Sequence, residues 1–157
     1  MIKLFIMDID GTLSDGHIYF GPDGEVMKSF DVKDGYGIKM LQKNGVIPVI
    51  ITGRDSRIVS ARAADLGITE LHQNTADKLS VLRAIGEKYS AGPEEIAYIG
   101  DDLNDMECMG YCAYSAAPAD ATPSVRELAR FKCLHNGGRG AVREFCEYVL
   151  SVNETFR

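Results

Sequence analysis

The sequence predicts an α/β fold: a doubly wound, Rossmann-like, mostly parallel sheet with a small β-hairpin flap. Two observations lead there. Short β-type runs alternate with segments of helical period along the whole chain, the pattern of parallel strands joined by crossover helices. The run over residues 3–7 is also near-continuously apolar, as a central strand buried on both faces must be. Residues 18–20 and 26–30 flank Gly21-Pro22-Asp23-Gly24, a turn sequence that predicts the hairpin. A helix is expected over 35–44, closed by Gly45, and residues 46–51 read as the second core strand. Asp55 or Ser56 can cap the next helix, whose apolar residues Ile58, Val59, Ala63 and Leu66 precede a stop at Gly67. A short strand over 68–72 leads to a helix over 74–89, with Leu79, Leu82 and Ile85 on one stripe. A buried strand over 96–99 and a short helix over 103–109 follow. Strands over 111–115 and 131–134 bracket a helix that starts near Pro123, and a last helix over 140–152 turns Val142, Phe145, Val149 and Val152 inward. Residues 1–157 thus read as one domain, with a hairpin flap at about 17–31 and a C-terminal helix and tail at about 139–157. Ligands are expected at the carboxyl ends of the strands.

Composition excludes several function classes. The 157 residues carry 17 Lys+Arg against 23 Asp+Glu, a net charge of −6, so the basic footprint of a general nucleic-acid binder is missing. No apolar run approaches the ~20 residues of a membrane span, and the acids of MIKLFIMDID come too early for a signal peptide. Cys108, Cys112, Cys133 and Cys146 are scattered among apolar residues, with no His or second Cys pair to complete a zinc set. They read as reduced, buried thiols of a cytoplasmic protein. What remains open to an acidic domain is a small anionic substrate, held by a few local cations and a metal ion.

The residues able to do such chemistry all fall at predicted strand ends. Asp8-Ile9-Asp10-Gly11-Thr12 follows the first strand, where two carboxylates two residues apart can project into one crevice and repel unless a divalent cation intervenes. Gly11 permits a sharp turn whose amides can face a phosphate. Thr52-Gly53-Arg54 follows the second core strand and offers a hydroxyl, an amide and a guanidinium to an oxyanion. Lys78 lies near a helix start. Gly100-Asp101-Asp102-Leu103-Asn104-Asp105 sets three carboxylates at a further strand end, where their repulsion needs a counter-ion. Each motif alone has a plain structural reading: an Asp-rich turn, a helix cap, a solvated lysine. The ordered set is what carries weight.

In that order the motifs resemble those of the haloacid dehalogenase superfamily, from residue 2 to about 149. The resemblance implies that Asp8 is a nucleophile forming an aspartyl-phosphate, and that Asp10 is the general acid and then the general base. It implies Mg2+ held by the Asp8 carboxylate, the Asp10 backbone carbonyl and the Asp101 carboxylate, with Asp102 and Asp105 orienting metal-bound waters. Thr52, the Gly53 amide and Lys78 would hold the phosphate oxygens.

Larger superfamily members carry a cap over the site. Here only 41 residues separate Asp10 from Thr52 and 25 separate Thr52 from Lys78, which leaves room for the predicted elements alone. An uncapped site is open to water, so a homotetramer whose sites are completed by neighbouring subunits is expected, with the hairpin as an interface element. Among capless members the chain is similar to the phosphatases of 3-deoxy-2-ulosonic acid phosphates. Asp15-Gly16, the string Asp31-Val32-Lys33-Asp34-Gly35-Tyr36-Gly37-Ile38, and Gly137-Gly138-Arg139-Gly140-Ala141-Val142-Arg143-Glu144 carry that likeness. It implies a sugar-acid phosphate substrate bound by Asp31, Val32, Lys33, Asp34 and Gly35, with Lys39 one turn later. An eight-carbon acid is favoured over a nine-carbon one by Arg54 and Lys33-Asp34-Gly35. The substrate's carboxylate needs cations away from Lys78: Lys33, Lys39, Arg54 and Arg62 are the candidates, although Lys39 and Arg62 can equally be exposed helix charges. The glycines of 137–140 predict a mobile segment that covers the site together with the tail. His17, His72 and His135 receive no role. A phospho-receiver or an inactive regulatory domain would leave Asp10 and Thr52-Gly53-Arg54 without a purpose.

Overall fold

Every residue of Leu4–Met7 is buried, so the strand they form, β1, can sit only in the middle of a sheet covered on both faces. The computed structural model describes residues 1–154. After β1 the chain runs through β2 (Tyr19–Gly21), β3 (Gly24–Met27), α1 (Val32–Lys43), β4 (Ile47–Ile51), α2 (Arg57–Leu66), β5 (Glu70–His72) and α3 (Lys78–Lys88). It continues through β6 (Ile96–Ile99), α4 (Met106–Tyr111), β7 (Tyr114–Ala117), α5 (Pro123–Leu128), β8 (Phe131–Lys132) and α6 (Ala141–Glu154). Six strands form one sheet in the order β5-β4-β1-β6-β7-β8, every neighbouring pair parallel. The antiparallel pair β2–β3 stands apart as the hairpin.

The chain leaves β1 toward β4 on one side and returns to β6 on the other, so the topological switch lies at the carboxyl end of β1. Alternation within β1 divides the core. Phe5 and Met7 join Ile38, Leu41 and Phe145 beneath α1, α2 and α6, whereas Leu4 and Ile6 join Leu82, Met109 and Val125 beneath α3, α4 and α5. Phe5 and Phe145 meet at 5.4 Å between ring centroids. No described helix is long and apolar enough to cross a membrane.

Several boundaries differ from the sequence reading. α1 begins at Val32, not residue 35, because Asp31 caps it: the Lys33 amide donates to Asp31 Oδ1 at 2.7 Å. Gly35 and Gly37 are therefore interior helix residues. Their missing side chains admit Arg62 on one side and Arg143 and Cys146 on the other, a close packing that outweighs glycine's poor helix propensity. α3 begins at Lys78, not residue 74, with the Asp77 carboxylate accepting from the Ser80 amide. β3 ends at Met27, and Phe30 keeps only an isolated bridge to Ser14. Tyr111 closes α4, so β7 starts three residues later than periodicity suggested. Of the two cap candidates for α2, Ser56 is the one used.

Candidate active site

The carboxyl ends of β1, β4 and β6 bring the acidic and cationic motifs together. Asp8 directly follows β1, and the loop after it turns at Gly11 with φ +90°. That glycine is required twice over, since the left-handed backbone disfavours other residues and a β-carbon there would collide with the Asp101 carboxylate. Thr12 closes the same corner by donating its hydroxyl to Asp101 Oδ1 at 2.9 Å. Asp101 itself follows β6.

Lys78 is the buried cation of the cluster. As first residue of α3 it reaches inward, placing Nζ 2.9 Å from Asp8 Oδ1 and 2.8 Å from Asp105 Oδ1. Asp105 is fully buried and accepts four donors: Lys78, the Tyr98 hydroxyl at 2.6 Å, and the Asp101 and Asp102 amides at 3.0 and 3.3 Å. Both its oxygens are in use. This corrects the expectation that Asp105 orients metal-bound water: it anchors Lys78 and shapes the loop that presents Asp101. Asp102, also expected near such waters, is exposed and caps the short turn over 103–105 by accepting from the Leu103 amide.

Electrostatics mark this cluster. Carboxylate oxygens of Asp8, Asp101 and Asp105 lie within 4.8 Å of one another. Burial, with Asp105 alongside, pushes Asp8 up to about 6 despite Lys78. Burial and the charge of Asp8 push Asp101 up to about 8, against the hydrogen bond from Thr12. Burial disfavours the Lys78 ammonium, yet Asp8 and Asp105 outweigh it and hold the group above its ordinary value. Three carboxylates against one ammonium leave a charge deficit that one divalent cation matches. Because Asp105 is fully engaged, Asp8 and Asp101 are the carboxylates able to face such an ion. The Asp10 side chain is committed elsewhere, so any share it takes in holding a cation falls to its backbone carbonyl.

Asp10 turns toward the hairpin. Lys28, just after β3, donates to Asp10 Oδ1 at 2.7 Å, and Arg54 Nε lies 4.0 Å from Asp10 Oδ2. Arg54 donates through Nε and Nη2 to Glu25 Oε1, at 3.0 and 2.9 Å, and Ser56 donates to Glu25 Oε2 at 2.6 Å. Burial works against the Glu25 carboxylate, but Ser56 and Arg54 hold it below its usual range. Thr52 is buried at the end of β4, and Gly53 beside it is exposed.

Sequence reasoning missed Lys28, Glu25 and Tyr98. A lysine as the one charged residue of Val26-Met27-Lys28-Ser29-Phe30 was the available signal for the first. Nothing local distinguishes Glu25 or Tyr98.

Four of the expected sugar-binding residues, Val32, Gly35, Lys39 and Arg62, gather elsewhere, between α1 and α2. Val32, Gly35, Tyr36, Lys39, Arg62 and Leu66 line a hollow of about 240 Å³, with Asp65 at its edge. Val32 is 83% exposed, and Lys33 and Lys39 are exposed as well. Arg62 donates to Asp65 Oδ2 at 2.8 Å and to the Asp31 carbonyl at 3.4 Å, while its buried Nε has no hydrogen-bond partner among the described residues. Asp34 is a correction. It does not line this hollow: it is fully buried, accepting the Gly140 amide at 3.3 Å and the Arg143 amide at 2.8 Å to cap α6. The glycines of 137–140 also serve close approach rather than looseness. The Gly138 amide donates to the Thr12 carbonyl at 2.9 Å, and β-carbons at Gly137 or Gly138 would strike the backbone of the loop that follows Asp8. The covering role expected of the C-terminal tail falls partly on residues 155–157, outside the described residues.

Comparison with known proteins agrees with this geometry. Residues 56–145 match the model of a haloacid dehalogenase-like hydrolase family. The chain is 46% identical over 149 residues to the 3-deoxy-D-manno-octulosonate 8-phosphate phosphatase of Escherichia coli, covering 95% of this chain and 79% of that one. A crystal structure of the phosphatase of the same name from Yersinia pestis superposes with a TM-score of 0.94 at 44% identity, over 98% of this chain and 83% of the other. The Moraxella catarrhalis phosphatase, crystallised with magnesium ion, phosphate ion and a KDO molecule, superposes with a TM-score of 0.91 at 38% identity, over 99% and 94% of the two chains.

Proposed function

The chain belongs to the haloacid dehalogenase-like hydrolase family, and on that premise we propose that it is a Mg2+-dependent phosphomonoesterase hydrolysing 3-deoxy-D-manno-octulosonate 8-phosphate to the free sugar acid and phosphate. One observation carries the reading: Lys78 is clamped between Asp8 and Asp105 with Asp101 alongside, a buried acidic cluster short of positive charge, and Asp10 follows two residues after Asp8. The relatives that act on this phosphate ester, and the neighbour holding magnesium, phosphate and KDO, support the choice of substrate and metal.

Asp8 and Asp101, with the Asp10 carbonyl, would hold Mg2+, which when bound offsets the charge of the phosphate. An Asp8 oxygen attacks phosphorus while the ester P–O bond breaks, and Asp10 gives its proton to the departing sugar oxygen. Asp10 then takes a proton from water as that water attacks the aspartyl-phosphate, releasing phosphate and restoring the Asp8 carboxylate. Lys78, the Thr52 hydroxyl and the Gly53 amide hold the phosphate oxygens. Arg54, braced by Glu25, and the hollow of Lys39 and Arg62, lined also by Val32 and Gly35, supply cations for the sugar acid, with Asp31 and Lys33 at the adjoining start of α1.

The proposal takes residues 1–157 as one catalytic domain working in the cytoplasm, an assignment supported by four free, buried cysteines. It includes a homotetramer. Tyr19, Phe20, Val26 and Met27 expose at least half of their surface on the hairpin, an apolar patch that suits burial against another copy. Light scattering checks this directly, and a fully active monomer contradicts it.

Phosphate release from the octulosonate 8-phosphate and from N-acylneuraminate 9-phosphate tests the substrate. Faster turnover of the eight-carbon ester is expected, lost on chelation and regained with Mg2+. Asp8→Asn and Asp10→Asn should each lower turnover about a thousandfold or more. Preference for the nine-carbon ester changes the substrate but keeps the reaction; no release from any ester refutes the phosphatase reading.

A further inference from the structure

Lysine is among the residues least often buried, and where it is buried it is paired. The Lys28 side chain is 0% exposed, although it lies on a hairpin whose neighbouring residues face solvent. Its Nζ sits 2.7 Å from Asp10 Oδ1 and 3.5 Å from Glu25 Oε1, and Glu25 is itself fixed by Arg54 and Ser56. The ammonium is therefore held from behind by Glu25 and directed at one oxygen of Asp10. The other oxygen, Oδ2, has Arg54 Nε 4.0 Å away, beyond hydrogen-bond reach.

We propose that Lys28 is a positioning residue for Asp10: by occupying Oδ1 it fixes the carboxyl plane and leaves Oδ2 as the oxygen that gives and takes the proton. The inference rests on the phosphatase reading above and deepens it. As the ester P–O bond breaks, the proton on Asp10 Oδ2 passes to the leaving oxygen; as water attacks the aspartyl-phosphate, its proton passes back to Oδ2. Lys28 keeps its three protons throughout. Without it the carboxyl can rotate, and misplacement of an acid by about 1 Å lowers a rate by about a hundredfold. Because Lys28 follows β3, it also ties the docking of the hairpin to the orientation of the acid.

The test compares two leaving groups. An alkyl phosphate such as the sugar-acid ester needs a proton on its departing oxygen, whereas p-nitrophenyl phosphate releases a stable phenolate without one. Since kcat/KM reports steps up to departure of the leaving group, Lys28→Met should lower it about 30-fold or more for the alkyl ester and by no more than about threefold for the aryl ester. Lys28→Arg, which keeps a cation against Asp10, should recover most of the alkyl-ester rate. Melting temperature and light scattering establish that fold and assembly are unchanged; should Lys28→Met fail to fold, Lys28→Gln is read in its place with the same selective loss expected. Equal losses on both esters, or no loss on either, overturn the proposal. Wild-type turnover in the same assay separates this from failure of the phosphatase reading, which would leave both esters intact with every variant.

Discussion

Two regions of the molecule hold carboxylates beside cations, and they are built in opposite ways. In the cluster at the end of β1, Lys78, Asp8 and Asp105 are all buried, and Asp105 alone accepts four donors. In the hollow between α1 and α2, Lys39 is exposed and the buried Arg62 Nε has no partner among the described residues. The first region is over-determined by its own neighbours, which is what holding a reacting phosphate within tenths of an ångström demands. The second is less fully paired: Arg62 meets Asp65 at 2.8 Å while Lys39 has no ion pair among the described residues, which suits the anion proposed to bind there. Charge alone does not separate chemistry from recognition; the degree to which each charge is already satisfied does.

Two substitutions probe that contrast, and a third tests a buried carboxylate that belongs to neither region. The largest effect is expected from Asp105→Ala, which leaves Lys78 and the Tyr98 hydroxyl short of their shared acceptor. Breaking a buried pair should cost about 3 kcal/mol or more in urea unfolding, with turnover falling as Lys78 loses its anchor. A loss below about 1 kcal/mol would mean that the cluster is no better determined than a surface pair.

Asp34→Asn is next. Burial pushes Asp34 up to about 6, with Asp31 adding to the shift and the Gly140 and Arg143 amides and His135 opposing it. The folded protein thus binds a proton at Asp34 that the unfolded chain, with an ordinary carboxyl near 3.9, has already released. Stability from this group is present below about pH 4 and declines as pH rises to about 6, by about 2–3 kcal/mol in all. Asp34→Asn should remove that decline, seen as a flatter difference in unfolding free energy between pH 4 and pH 7. An unchanged difference would show that the carboxylate ionises without strain.

The smallest effect is expected from Lys39→Ala. The side chain is exposed, so stability should change by less than about 0.5 kcal/mol. KM for the sugar-acid phosphate should rise about tenfold, as for loss of one charge-assisted hydrogen bond, with kcat nearly constant. A fall in kcat at constant KM would place Lys39 with the reacting groups and dissolve the distinction between the regions.

Much of this is legible in the sequence. Short apolar runs alternating with longer stretches of 3.6-residue period placed the eight described strands and the helices to within a few residues, as for Leu4–Met7 and Ile96–Ile99, whose length and flanking residues favour strands. Asp8, Asp10, Thr52, Lys78 and Asp101 stood out because four short motifs recur in a fixed order at strand ends. Asp34 misled: the family resemblance carried it over as part of a sugar-binding loop, and only the approach of α6, more than a hundred residues later, turns it into a helix cap.

The sequence by itself determined the parallel α/β sheet, the crevice at its switch point and the identity of the acids there, since these follow from local periodicity and from residue type at strand ends. Tertiary structure alone decided how each acid is used. Lys28 became a partner of Asp10 across 18 residues, Asp105 an anchor for Lys78 across 27, and Asp34 a cap for a helix whose amides lie 106 and 109 residues away. A carboxylate's role depends on which donors surround it and how much water they exclude, and those donors arrive from elements that no local pattern connects.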